Sequence, residues 1–130
     1  MIVETVLIFV ILVLVLVVSH ELGHFFAAKW YGVKVEEFGV GIPLPFIPSR
    51  VFKKQFGETM YSWYLLPLGG FVRIFGEEED AADPRSFSSQ SLWARTMIVG
   101  AGVMANILVA YVVFFILAAY GTPRLGVIIE

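Results

Sequence analysis

The chain has 130 residues, of which 58% are hydrophobic and 15% charged, with a mean hydropathy of +0.83 and a net charge of −2. Soluble domains run at roughly 45–50% apolar and about 25% charged, so an ordinary soluble globule is excluded, and the small net charge speaks against nucleic acid or any strongly charged partner. No cysteine is present, which rules out disulfides and thiolate metal sites and leaves His, Asp and Glu as the side chains able to hold a metal.

The first element begins at Ile2 and runs through LIFVILVLVLVV to Val18, with only Glu4 and Thr5 polar. Continued through HELGHFFAA to Ala28, a helix over 2–28 has ample length to cross about 30 Å of hydrocarbon at 1.5 Å per residue. A cleaved signal peptide is the competing reading, but there is no basic n-region and no A-x-A site after the apolar run.

A middle segment over 33–91 follows, expected to hold a small apolar sheet of three or four strands and a polar loop. In VKVEEFGVGI, Phe38, Val40 and Ile42 alternate with Gly39 and Gly41. That is a strand with one face stripped to backbone, which suits close approach of another chain. Pro43, Pro45 and Pro48 then break regular structure. Glu58–Leu66 is aromatic and β-prone, PLGG (Pro67–Gly70) reads as a turn, and Phe71–Phe75 alternates again. Gly76–Ser91 is a polar loop whose EEED run reads as solvated charge. The many aromatics favour a sheet dipping into the membrane interface over a peripheral hairpin with an ordinary aromatic core. Backbone at that depth must be buried in protein or line a wet cavity.

The second apolar element spans 96–120, with Asn106 its single strongly polar side chain. Gly102 and Asn106 are four apart and share one helix face. Gly100 and Gly102 read as packing residues that let helices approach. GTPRLGVIIE then stops the helix and begins another strand. Eight of the nine Lys and Arg lie between Lys29 and Arg95. The positive-inside rule places that middle segment in the cytoplasm and both ends outside. The fold class expected is a mainly α membrane protein, two transmembrane helices with a small membrane-associated β-sheet between them.

The chemistry lies at the end of the first span. His20, Glu21 and His24 form H-E-x-x-H and use every histidine in the chain. On a helix the two histidines are one turn apart on one face, so both imidazoles can reach one Zn²⁺ at about 2.0–2.1 Å. Glu21 is offset by roughly 100°. From there it can take the proton of a water at the open metal position and hand it to a leaving amine. Ionisable groups within a membrane span are costly and functional by default. Histidines snorkelling at the interface, with Glu21 paired to a lysine, would not require this spacing. Glu21-x-x-His24 is also half of a di-iron motif, which needs a second Glu-x-x-His and two more inward glutamates. A catalytic zinc takes three protein ligands and keeps one open position. This chain offers two, so the third is expected outside these residues.

HELGH closing a first apolar span resembles the site-2 protease family of intramembrane zinc metalloproteases. GVKVEEFGVGIP, LLPLGGFVRI and FSSQSLWARTMIVGAGVMAN are similar to successive stretches of the bacterial branch that includes regulator of sigma-E protease. Val103 stands where that branch's A-G-P-x-x-N pattern has proline. The resemblance implies His20 and His24 as zinc ligands and Glu21 as general base. It implies a re-entrant membrane sheet in which Phe38, Gly39, Val40 and Gly41 help present an unwound substrate segment by strand addition. The implied substrates are single-pass membrane proteins such as anti-sigma factors, and the implied setting is a bacterial inner or cytoplasmic membrane. It also implies a third ligand, an Asp in a later helix, which nothing here matches, and a PDZ domain whose first strand RLGVIIE (124–130) resembles. The expectation is the N-terminal part of such an enzyme, inactive or weakly active alone. A non-catalytic membrane-embedded binding or scaffold protein that retains the metal motif is the alternative. A reading frame that continues past Glu130 into an Asp-Gly helix would separate the two.

Overall fold

A computed structural model describes residues 1–121. The PDZ-like stretch over 124–130 lies outside the described residues. The element order is α1 (Ile2–Trp30), β1 (Val35–Ile42), β2 (Arg50–Phe56), β3 (Thr59–Tyr64), β4 (Leu66–Ile74) and α2 (Leu92–Tyr120). Both helices are long and apolar enough to cross a membrane, and almost none of either apolar stretch is buried within the protein. A soluble core helix would be covered instead, and the exposed Leu, Val, Ile and Phe of these two helices suit an apolar solvent.

The first helix ends two residues later than expected, at Trp30, for a local reason. Gly32 takes φ +73°, a conformation open to glycine. The Val33 amide then donates to the Ala28 carbonyl at 2.9 Å and the Gly32 amide to the Lys29 carbonyl at 3.1 Å. This is a Schellman stop. Ala28 and Val33, brought together by it, belong to the core with Val35, Ile74 and Ile98. That core sits where the helix ends meet the sheet. The second helix begins four residues earlier than expected because Ser91 caps it, its hydroxyl accepting from the Ala94 amide at 3.2 Å.

The sheet has four strands in the order β2-β3-β1-β4. β1 pairs parallel with β3 and antiparallel with β4. Two expectations are corrected here. PLGG is not a turn: Pro67–Gly70 lies within β4, antiparallel to β1 with Gly70 opposite Val40. The stripped face of β1 does not await another chain either. A side chain at Gly39 would run into the ring of Phe71, its cross-strand partner. β2 answers to no sequence expectation. All seven of its residues are exposed, so neither its apolar nor its cationic side chains mark a buried face.

One buried carboxylate ties the sheet together. Glu37 is 1% exposed. It accepts from Ser62 Oγ at 2.6 Å and faces Arg73 of β4 at 3.3 Å and Arg50 of β2 at 3.5 Å. Glu37→Ala removes the acceptor shared by these three donors. The arginines are half-exposed and can turn to water, so the expected loss is about 2 kcal/mol, below that of a fully buried pair. A thermal unfolding midpoint unchanged from wild type would contradict this.

A second ionic cluster joins the end of α1 to the β2–β3 turn and the polar loop. Arg85 donates two 2.7 Å bonds to Glu58, and Lys29 adds one at 2.8 Å. Arg85 first and Lys29 second hold the Glu58 carboxyl down to about 2 from an ordinary 4.5. A depressed folded-state value stabilises the fold above the unfolded value and is lost as pH falls. Glu58→Gln should therefore lose less stability than wild type as pH falls from 4.5 towards about 2. Identical pH profiles for the two would contradict the cluster's role.

Candidate metal centre

Helix α1 presents the HELGH face to α2. Close approach of the two helices is set by glycines, one on each helix. A Cβ at Gly23 would strike the Ala101 carbonyl, and a Cβ at Gly102 would lie 2.6 Å from His24 Nε2 and 2.7 Å from His20 Nε2. The absent side chain at Gly102 is thus the space in front of both imidazoles.

His20 and His24 turn their Nε2 atoms to within 3.1 Å of one another, with the rings near perpendicular at 82°. Two nitrogens on a tetrahedral zinc with bonds of about 2.0–2.1 Å stand about 3.3 Å apart. The pair is therefore already close to the separation a metal would impose. His24 Nδ1 lies 2.8 Å from the Ile98 carbonyl of α2. A carbonyl can only accept, so Nδ1 carries the proton and the Nε2 lone pair is left for a ligand. Such an outer hydrogen bond fixes tautomer and ring orientation in metal sites. Spacing, tautomer and the open space at Gly102 all fit zinc. The geometry brings together two ligands only. Among the described residues no group of three His, Cys, Asp or Glu side chains could hold a metal. Of the polar-loop carboxylates, Glu77 lies near enough to His24 and Glu21 to feel their charge, yet they form no metal-holding group of three. Glu36 and Glu37 belong to β1.

Glu21 is half-buried and borders, with His20, a cavity of about 320 Å³ whose opposite wall is Gly69 and Gly70 of β4. A Cβ at Gly70 would lie 3.4 Å from Glu21 Cγ and 3.0 Å from Val17. Gly70 lets the strand lie against the motif helix, while Gly69 makes room for Ile42 of β1. PLGG is where the sheet meets the chemistry.

Phe38, Gly39, Val40 and Gly41 sit one strand further away. β1 is hydrogen-bonded along both edges, to β3 and β4, so it has no edge to offer an incoming strand. Among the described residues the free edges are those of β2 and β4. Sequence reasoning also passed over the Ile98 carbonyl, the role of Gly102 beyond packing, and the contact of Ser19 with Asn106. Only the G-x-x-x-N spacing on one helix face signalled the last two.

Comparison with known proteins places this geometry in context. The model of peptidase family M50 matches residues 8–126. A protein of Clostridium perfringens is 40% identical over 79% of this chain and 29% of its own length. One of Clostridium acetobutylicum is 42% identical over 78% of this chain and 29% of its own. One of Vibrio cholerae is 35% identical over 93% of this chain and 27% of its own. All three bear the name "Putative zinc metalloprotease". The chain therefore spans under a third of the length of these curated relatives.

Proposed function

The chain belongs to peptidase family M50, and from that premise we propose that it is the part of an intramembrane zinc metalloprotease supplying two metal ligands and the general base. The observation that carries this reading is the His20–His24 pair, held at 3.1 Å with one tautomer fixed by a carbonyl of the neighbouring helix. When bound, zinc supplies Lewis acidity that polarises a substrate carbonyl and makes water a competent nucleophile near neutral pH. His20 and His24 would hold it through their Nε2 atoms. Glu21, on the cavity wall beside His20, accepts the proton of the attacking water and delivers it to the leaving amine. The remaining ligand comes from another part of the protein.

The substrate class follows from the setting. A transmembrane segment must unwind before its peptide bonds can be reached, and its freed amides and carbonyls then need partners. The free edge of β4, with Gly69 and Gly70 against Glu21, offers them by strand addition. The exposed apolar residues in and beside the sheet, among them Phe46, Phe52 and Phe56, support a sheet seated in the membrane interface. The Lys and Arg of the middle segment support a cytoplasmic side for it, with both helix ends outward. Single-pass membrane proteins such as anti-sigma factors are the proposed substrates.

The test is the intact protein in lipid vesicles with a single-pass substrate. Cleavage within the apolar segment that stops on chelation and returns with zinc is expected. Cleavage indifferent to chelation, or confined to residues outside the apolar segment, would overturn the reading.

A further inference from the structure

The cavity bordered by His20 and Glu21 has one more polar side chain, Asn106 of α2. Ser19 Oγ lies 2.6 Å from Asn106 Oδ1 and 3.0 Å from the Leu16 carbonyl. A serine hydroxyl has one proton to give. The contact to Asn106 is the shorter of the two, so the proton is assigned there and Asn106 Oδ1 is the acceptor. That bond turns the Asn106 amide so that Nδ2 points away from Ser19. Among the described residues Nδ2 meets no acceptor.

An asparagine serving only to join two helices would need its Oδ1 alone; here Nδ2 is left on the cavity wall with no acceptor among the described residues. Here the donors border the space where a substrate carbonyl must lie, next to the histidines and the general base. We propose that Asn106 is a substrate-binding catalytic residue: its Nδ2 donates to the scissile carbonyl oxygen and stabilises the charge that develops there, while Ser19 is the positioning residue that sets the amide's orientation. This rests on the protease reading above and adds to it a donor from α2. A preorganised donor at such an oxygen strengthens as charge grows, so it acts on kcat more than on KM.

The test uses the intact protein in detergent with a single-pass substrate, and a peptide hydroxamate as a binding probe. Asn106→Leu keeps the shape of the side chain and frees Ser19 to bond the Leu16 carbonyl. It should lower kcat by about 100-fold, the effect of removing one such donor, with bound zinc unchanged. The hydroxamate should bind more weakly, because its carbonyl loses the same donor. Ser19→Ala should give a smaller loss, Ser19→Thr should restore it, and the Ser19→Ala/Asn106→Leu double variant should be no worse than Asn106→Leu alone. Should Asn106→Leu fail to fold, the same kcat loss in Asn106→Asp, which keeps Oδ1 and removes both donors, decides the matter. Activity within about threefold of wild type, or a loss that merely tracks lost zinc, would overturn the proposal. Wild-type cleavage indifferent to zinc chelation would instead overturn the protease reading, so the two failures are distinguishable.

Discussion

Glu21→Gln is expected to retain its zinc and to lose cleavage by about 10⁴-fold, the upper end of what general acid–base catalysis supplies. The substitution keeps size and hydrogen-bonding capacity and removes only basicity. Glu21 sits beside the metal pair and touches neither nitrogen: its neighbours are Val17, Gly69, Gly70 and the cavity they share. His20 and His24 keep their 3.1 Å spacing and the Ile98 contact without it. The loss should therefore appear in single-turnover cleavage and be absent from metal analysis. Cleavage near the wild-type rate would remove Glu21 from the mechanism. Zinc lost together with activity would show that Glu21 helps to hold the metal instead.

Gly102→Ala is expected to empty the site. The added methyl carbon would stand 2.6 Å from His24 Nε2 and 2.7 Å from His20 Nε2, inside van der Waals contact with both and in the space a metal must take. Backing off would require either imidazole to swing away or α2 to withdraw, and either would break the 2.8 Å bond from His24 Nδ1 to the Ile98 carbonyl or part the two nitrogens. Zinc affinity should fall by more than the roughly 10–100-fold typical of changes in the outer shell of a metal site. Cleavage should fall with it. Gly100→Ala is the control, since a Cβ there meets nothing within 4 Å; it should be neutral in both measurements. Equal zinc content in wild type and Gly102→Ala would show that the metal does not lie between these nitrogens.

These two glycines show what the sequence could and could not convey. Both read as packing positions in an apolar span, and only contact with the facing helix separates the one that fronts the histidines from the one that fronts nothing. HELGH was legible because the motif is local: helical spacing alone puts His20 and His24 on one face. The two long apolar runs were legible for the same reason. What depends on partners far along the chain was not. PLGG has turn chemistry, yet Gly69 and Gly70 are strand residues because β4 must pass close to Ile42, Val17 and Glu21. RVFKKQF shows no buried face because β2 is an edge strand exposed along its whole length. The strand reading of VKVEEFGVGI did not reveal that Glu37 is buried, because that follows from Arg50, Arg73 and Ser62 converging from three different strands. Phe38–Gly41 suggested an open strand because its glycines leave one face bare, while Phe71 fills that face and pairing on both sides closes its edges.

The alternative of a membrane scaffold that keeps a metal motif without chemistry shares the zinc site and parts from the protease at cleavage, which the first expected result decides. Both depend on the metal pair itself. The most direct measurement is therefore zinc stoichiometry of the purified intact protein and its variants. The expected result is one zinc per chain in wild type and in Glu21→Gln, and none in His20→Ala or His24→Ala. Zinc bound at wild-type levels after either histidine is removed would contradict the assignment of this site.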